Sequence, residues 1–297
     1  MDVHGLTALV TGGAAGIGAG IAERLAAEGM DVVIADLDRE AGAGTASGIG
    51  GTFVQADVAT EAGVLCAVDA SLRRPGRLGV LVSNAGGFAE PCFPAAGWGY
   101  TLDLNLRGVM LAAQLVREPM AIGGGGAVIT VASVAGLGTT SHDCPEYAAA
   151  KAGVIRFTAC LAPWRESIGV RANCICPGLV DTPSSRRSRE RMTPEQRAEL
   201  PPALTPADMG DAAMRFLDDD SLAGRIMVCK GGEPSRLLPL VDWETALSGG
   251  CVSRAPVRHS PNTAMAETLT GCAPRGGAAL RGDPADRRSR AKYESYG

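Results

Sequence analysis

The feature that most constrains this chain is an alternation of short β-branched runs with longer helix-period stretches over its first 235 residues. Leu6–Thr11, Asp31–Asp36, Thr52–Asp57, Val80–Asn84, Ala127–Ala132, Val170–Cys176 and Arg225–Cys229 read as strands. Between them, Ile17–Gly29, Arg39–Ser47, Glu61–Arg73, Leu104–Met120, Glu146–Ser167 and Pro206–Leu217 read as helices. Strands that are apolar almost throughout must be buried on both faces, the condition of a parallel sheet covered by helices. Right-handed crossovers then predict a doubly wound α/β sheet of about seven strands, with helices on both faces, in a single domain over residues 1–240. The alternation stops near Pro239. Residues 241–297 carry paired glycines, several prolines and the basic run 287–290 with neither a 3.6 nor a 2.0 period, so a mobile or disordered tail is expected there.

The chemical balance excludes several function classes. With 46% hydrophobic and 20% charged residues, the composition is that of a soluble globular protein. A net charge of −4 argues against nucleic acid, whose partners carry basic patches. The longest apolar stretch, Val109 to Val134, is interrupted by Arg117, Glu118, Pro119 and four glycines, so no membrane span is expected. The nine cysteines show no Cys-x-x-Cys or Cys/His ligand spacing, and no metal site is expected. Cys174 and Cys176 alternate on a strand and read as small buried hydrophobes. Free thiols in a large domain, and only five residues before the first apolar run, fit a cytoplasmic protein without a signal peptide.

The first strand runs directly into Thr11-Gly12-Gly13-Ala14-Ala15-Gly16-Ile17-Gly18 and a helix. Glycines there let a pyrophosphate approach the backbone, while the helix N-terminus supplies unpaired N–H groups and its positive dipole end. A glycine-rich turn alone would say little; its place between first strand and first helix gives it meaning. The second strand ends at Asp36, 18 residues past Gly18, where a carboxylate accepts both hydroxyls of an adenosine ribose and repels a 2′-phosphate. That selects NAD over NADP, with Arg39 the one nearby residue able to soften the preference.

Tyr147 and Lys151 stand four residues apart, on one helical face. A free tyrosine has a pKa near ~10 and is a poor base at neutral pH. A neighbouring ammonium favours the phenolate, as does a positively charged nicotinamide. Tyr147 then takes the proton of an alcohol during oxidation and returns it during carbonyl reduction. Ser133 ends the fifth strand at the carboxyl edge, where ligands bind in such sheets, and its hydroxyl can hold the substrate oxygen. Taken singly, each has a plain structural reading: a strand-end cap for Ser133, a snorkelling surface pair for Tyr147 and Lys151.

Their joint order resembles the classical short-chain dehydrogenase/reductase family over about residues 5–235. Thr11–Gly18 matches its Thr-Gly-x-x-x-Gly-x-Gly loop, and Asn84-Ala85-Gly86 its Asn-Ala-Gly. Asn105, Ser133, Tyr147 and Lys151 match its catalytic tetrad in order. The resemblance implies cofactor contacts from Gly12, Ala15, Gly16, Ile17, Gly18, Asp36 and Leu37, and adenine contacts from Asp57 and Val58. It also implies a cofactor-side role for Asn84, Ala85 and Gly86, and carboxamide contacts from Pro177, Gly178, Val180 and Thr182. Tyr147 and Lys151 would also contact the cofactor, Lys151 at the nicotinamide ribose, and Asn105 would hold a water linking Lys151 to solvent.

Three departures from the family pattern stand out. Ser133 and Tyr147 are 14 residues apart, one more than the commonest spacing, the extra residue falling in the loop that carries His142. His142 lies near the expected substrate mouth and reads either as a substrate contact or, more plainly, as an exposed loop residue. Ser83 replaces an asparagine. Pro163 should kink or end the long helix around Ala162, a helix that the family uses for subunit contacts; a homo-oligomer, dimer or tetramer, is still expected. Residues 184–205 should cover the substrate, and their arginines suit either a carboxylate-bearing or thioester substrate or a solvated helix. The resulting expectation is an NAD-dependent oxidoreductase acting on a secondary alcohol or its ketone. The alternatives are an NADP-linked reductase and a non-catalytic dinucleotide-binding regulator, which would have no need of Tyr147 and Lys151 together.

Overall fold

The near-continuous apolar runs become the strands of one sheet because helices cover them on both faces. A computed structural model describes residues 1–87, 97–139 and 141–240. Strands β1 (Thr7–Thr11), β4 (Leu78–Ser83), β5 (Gly126–Val131), β6 (Val170–Pro177) and β7 (Ile226–Cys229) are buried at every position. β2 (Asp31–Asp36) is exposed only towards its ends, and β3 (Thr52–Gln55) forms a half-buried edge. The sheet order is β3-β2-β1-β4-β5-β6-β7-β8, parallel throughout except for β8 (Arg236–Leu237), which returns antiparallel to β7. This two-residue eighth strand adds to the expected seven; it is too short to carry an alternation signal.

The direction of winding reverses between β1 and β4, the crevice where ligands bind in doubly wound sheets. In register, Thr11 pairs with Ala35 and with Ser83, and Ser83 with Thr130. The carboxyl ends of four neighbouring strands therefore finish in line.

One face is sealed by α1 (Gly16–Ala27) and α10 (Pro206–Asp218), whose Ile21, Leu25, Met209 and Phe216 pack on Val10, Ile34, Val82 and Ile129. On the other, α3 (Glu61–Leu72) and α5 (Gly108–Ile122) bring Val64, Val68, Ala113 and Val116 onto Leu9, Leu81 and Val128. The remaining helices are α2 (Arg39–Gly48), α4 (Trp98–Leu102), α6 (Pro145–Cys160), α7 (Trp164–Ile168), α8 (Pro183–Glu190) and α9 (Pro194–Ala198).

Two expected helices are divided. The stretch expected as one helix over Leu104–Met120 begins with a π-helical turn, Asp103–Arg107, between α4 and α5. That over Glu146–Ser167 ends at Cys160 and resumes at Trp164 with Pro163 as N-cap, because proline has no N–H to continue the ladder. The segment over 184–205 is two short helices, α8 and α9, each opened by a capping box, at Thr182 and at Thr193. Cys66, Cys160, Cys174, Cys176 and Cys229 are free thiols, whereas Cys144, buried at the N-cap of α6, is disulfide-bonded, which corrects the expectation of free thiols at that position. The tail expected over 241–297 lies outside the described residues.

Candidate active site

The glycine loop is held in a shape that side chains would prevent. Gly12 and Gly16 adopt φ of +65° and +57°, a region open to glycine without strain. A Cβ on Gly12 would come within 2.6 Å of Ala85 Cα, and one on Gly18 would overlap the carbonyl oxygen of Gly12. The first turn of α1 begins at N-cap Ala15, which offers no side-chain cap. Its leading N–H groups are thus unclaimed by a cap, in the arrangement that suits an anionic ligand.

Side chains from neighbouring strands fasten this loop. Asn84 Nδ2 donates to the carbonyls of Thr11 (3.2 Å) and Gly12 (2.8 Å), and the Thr11 hydroxyl accepts from the N–H groups of Asn84 and Ala85. Asp36 accepts from Ala14 N–H through Oδ2 (2.9 Å) and from Asp38 N–H through Oδ1 (3.1 Å). Each carboxylate oxygen keeps a second acceptor site for a hydroxyl. Leu37 beside it is 42% exposed. Arg39 donates to Gln55 (2.7 Å), not to Asp36. Asp57 stabilises its own turn by accepting from Ala59 N–H, and Val58 is buried.

At the carboxyl end of β5, Ser133 leaves the sheet and caps a short 3-10 turn (Val134–Gly136), accepting from Ala135 N–H (3.1 Å). That turn packs so tightly on α6 that a Cβ on Gly136 would lie 2.6 Å from Ala152 N. The packing brings Ser133 and Tyr147 into hydrogen-bond contact despite the longer spacing between them. Lys151, buried one helical turn on, donates to Val131 O (3.0 Å) and stands 5.6 Å from the Tyr147 ring centre. Gly86 lies between Lys151 and Asn105; a Cβ there would meet Asn105 Oδ1 at 2.6 Å and Lys151 Nζ at 2.9 Å. All four tetrad positions therefore converge on one spot at the switch point.

Two details differ from expectation. Asn105 is fully buried in the π-helical turn, where Nδ2 donates to the carbonyls of Gly87 (2.7 Å) and Thr101 (2.9 Å) and Oδ1 accepts from Gly87 N–H (3.0 Å). Both amide hydrogens are spoken for, so its side chain positions the 86–87 loop; π turns of this kind recur at functional sites. The phenol of Tyr147 sits above its ordinary value, because burial disfavours the phenolate more than the Ser133 bond favours it. The expected lowering by Lys151 is absent from the site as it stands. The same burial pushes Lys151 down to about 8, against an opposing pull from the Cys174 and Cys176 sulfurs.

Pro177 ends β6, and Gly178 N–H donates to Cys229 O (2.8 Å). Val180 bridges to Leu204, and the Thr182 side chain stands against Gly16, where a Cβ would meet its Cγ2 at 2.9 Å. Two features escaped the sequence reading. His142 is half-buried, with its ring centre 5.9 Å from that of Tyr147 and its Nδ1 accepting from Cys144 N–H (3.0 Å). Ser83, in place of asparagine, leaves its hydroxyl buried without a partner among the described residues, beside a small cavity lined by Thr11, Val58, Ala85 and Leu104. The substitution was visible in the sequence, but the orphaned hydroxyl depends on what surrounds it. Among the arginines of α8, Arg186 is tied bidentately to Asp181 (2.9 and 2.8 Å).

Comparison with known proteins shows the family to which the chain belongs. The family model described as short chain dehydrogenase matches residues 6–193. The cis-4-hydroxycyclohexanecarboxylate dehydrogenase of Sinomonas cyclohexanicum is 34% identical over 239 residues, 76% of this chain and 95% of the relative. The 15-hydroxyprostaglandin dehydrogenase [NAD(+)] of Mus musculus is also 34% identical, over 76% of this chain and 90% of its own. Among solved structures, levodione reductase superposes with a TM-score of 0.71 at 30% identity, covering 77% of this chain and 97% of that one. The chain belongs to the classical short-chain dehydrogenase/reductase family of oxidoreductases, with hydroxyl-acting dehydrogenases among its relatives.

Proposed function

We propose that the protein is an NAD-dependent alcohol dehydrogenase or ketoreductase that interconverts a secondary alcohol and its ketone, with Tyr147 as general acid and base. The observation that carries this reading is the contact of the Tyr147 and Ser133 hydroxyls beside a buried Lys151 ammonium, at the strand ends next to the glycine loop. A dinucleotide fits the residues present, since Gly12, Gly16 and Gly18 form a cradle that any Cβ would fill and Ala15 leaves the α1 N-terminus uncapped. When bound, the nicotinamide accepts or delivers the hydride, and the protein supplies orientation and proton transfer.

Within that frame, Ser133 holds the substrate oxygen and Tyr147 removes or returns its proton. With its phenol raised by burial, Tyr147 begins as the acid form, ready to protonate a developing alkoxide. In the oxidising direction the same hydroxyl must first lose its proton, which the burial of Tyr147 opposes and the Ser133 bond favours. Asn105 positions the 86–87 loop beside Lys151. The free acceptor sites of Asp36 suit two ribose hydroxyls, and Arg39, held by Gln55, does not neutralise it; both support NAD. Pro177, Gly178, Val180 and Thr182 frame the nicotinamide end, and Asp57 and Val58 the adenine end. We place the protein in the cytoplasm, on five free thiols set against the one disulfide-bonded cysteine among the described residues, as a homo-oligomer. Among the described residues no helix is long and apolar enough to cross a membrane.

A panel of secondary alcohols and ketones followed at 340 nm, with NAD and NADP in parallel, tests the reading. Tyr147→Phe should reduce turnover by at least ~10²-fold while leaving dinucleotide affinity within about twofold. Undiminished turnover in that variant, or a preference for NADP, would overturn the corresponding part.

A further inference from the structure

The rim of the sheet opposite the catalytic edge carries a group of arginines for which hydride transfer has no use. Gly126 and Val170 begin β5 and β6 there, whereas Ser133 and Tyr147 lie beyond the far ends of the sheet. A cavity of about 280 Å³ opens at this rim, lined by Arg77, Arg165, Arg171, Asp220 and the glycines that precede β5 and β6. Three guanidinium groups and the N-terminal ammonium of Met1, which pairs with Asp220 at 3.1 Å, gather around the Asp220 carboxylate, with the Asp219 carboxylate near Arg165 and Arg171.

Arg171 is the floor, only 5% exposed. Through Nη1 it donates to the carbonyls of Phe216 and Asp219, and through Nη2 to Leu217 O and Asp220 Oδ1, so it closes the C-terminal end of α10. Four of its five N–H groups are used; Nε–H has no acceptor among the described residues. That accounts for Arg171 structurally, but not for the other two. Arg77 spends one N–H on Gly125 O (2.7 Å) and has no carboxylate partner among the described residues. Arg165 makes no side-chain hydrogen bond or ion pair among the described residues, although the Asp219 carboxyl is near enough to be held down by it. The Arg165 charge is felt inside the cavity, where it joins burial in pulling the Arg171 guanidinium down. Like charges kept together across a concave surface, with most donors unspent, form a receptor for oxyanions; guanidinium forks bind these in paired hydrogen bonds.

We propose that this cavity binds a small oxyanion-bearing molecule, a phosphate monoester or a polycarboxylate, gripped by Arg77 and Arg165 above Arg171. The glycines at 124 and 125 leave the rim bare of side chains, and the volume admits a ligand larger than a bare ion. The site is separate from the glycine loop and independent of the reaction proposed above.

The test is calorimetric titration of the full chain with inorganic phosphate and, separately, citrate, against sodium chloride at matched ionic strength. NAD is present throughout to occupy the glycine loop. Saturable binding is expected, weakened at least roughly tenfold in an Arg77→Gln/Arg165→Gln double variant and unchanged in Arg187→Gln, an exposed arginine of α8. The preferred anion of the two assigns the ligand to the phosphoryl or the polycarboxylate class. Turnover in the double variant should equal wild type, which shows that it is folded. No binding above the chloride control, or equal affinity in the double variant, overturns the proposal.

Discussion

Replacing Lys151 with methionine should abolish turnover and yet make the protein more stable at neutral pH. Burial lowers the Lys151 ammonium from 10.5 to about 8, so the folded state holds its proton less tightly than the unfolded chain. Unfolding therefore takes up a proton between those values, and stability rises with pH across that window. The penalty is present in full below about pH 8 and is relieved as the pH approaches 10.5. At ~1.36 kcal/mol per unit, the shift costs the fold about 3 kcal/mol at pH 7. Methionine matches the length and apolar stem without the charge, but gives up the bond to Val131 O, worth about 1 kcal/mol. The variant should thus gain about 2 kcal/mol at pH 7. Near pH 9.5 the wild-type penalty falls to about 1 kcal/mol, so the gain should vanish. Urea unfolding of both proteins by circular dichroism at the two pH values measures this difference; groups not coupled to Lys151 cancel between them, while the Cys174 and Cys176 sulfurs that face it do not. A variant less stable at pH 7, or a stability gap independent of pH, would refute the argument that Lys151 is held charged against its environment.

Three further outcomes are expected. Gly18→Ala should raise the NAD dissociation constant at least tenfold by fluorescence titration, since its Cβ would overlap the Gly12 carbonyl and the loop must open. Ser83→Ala should be neutral or stabilising by up to ~1 kcal/mol in urea unfolding, because it deletes a buried hydroxyl that bonds to nothing among the described residues; a loss above ~1 kcal/mol would reveal a missed partner. In size-exclusion chromatography with light scattering, the protein should run as a dimer or tetramer, with Met110 of α5 (43% exposed) and Leu102 of α4 (39% exposed) among the apolar groups covered; monomer alone would reject this.

The sheet was legible in the amino-acid order because its signal is local. A strand such as β4 (Leu78–Ser83) must be apolar on both sides to lie in a parallel sheet, and that shows residue by residue. The glycine loop was legible for a similar reason: the backbone conformations at Gly12 and Gly16, and the tight approach at Gly18, exclude other residue types. Pro163 announced the break after α6, since its missing N–H acts on its own helix. The π-helical turn around Asn105 carries no comparable mark, because the bonds from Asn105 to Gly87 and Thr101 come partly from a loop 18 residues away.

Charge states and contacts between distant segments belonged to the tertiary structure alone. The sequence placed Tyr147 and Lys151 on one helical face, and from that pairing a lowered phenol follows. Burial reverses the sign, and burial is set by every element that packs around the pair. His142 became a neighbour of Tyr147 only when the loop between β5 and α6 folded back. The cavity at the opposite rim gathers Arg77 from the loop before β4, Arg165 from α7 and Arg171 from β6, a convergence that depends on the sheet pairing. Local backbone requirements can be read along the chain; desolvation and convergence depend on what folding brings near.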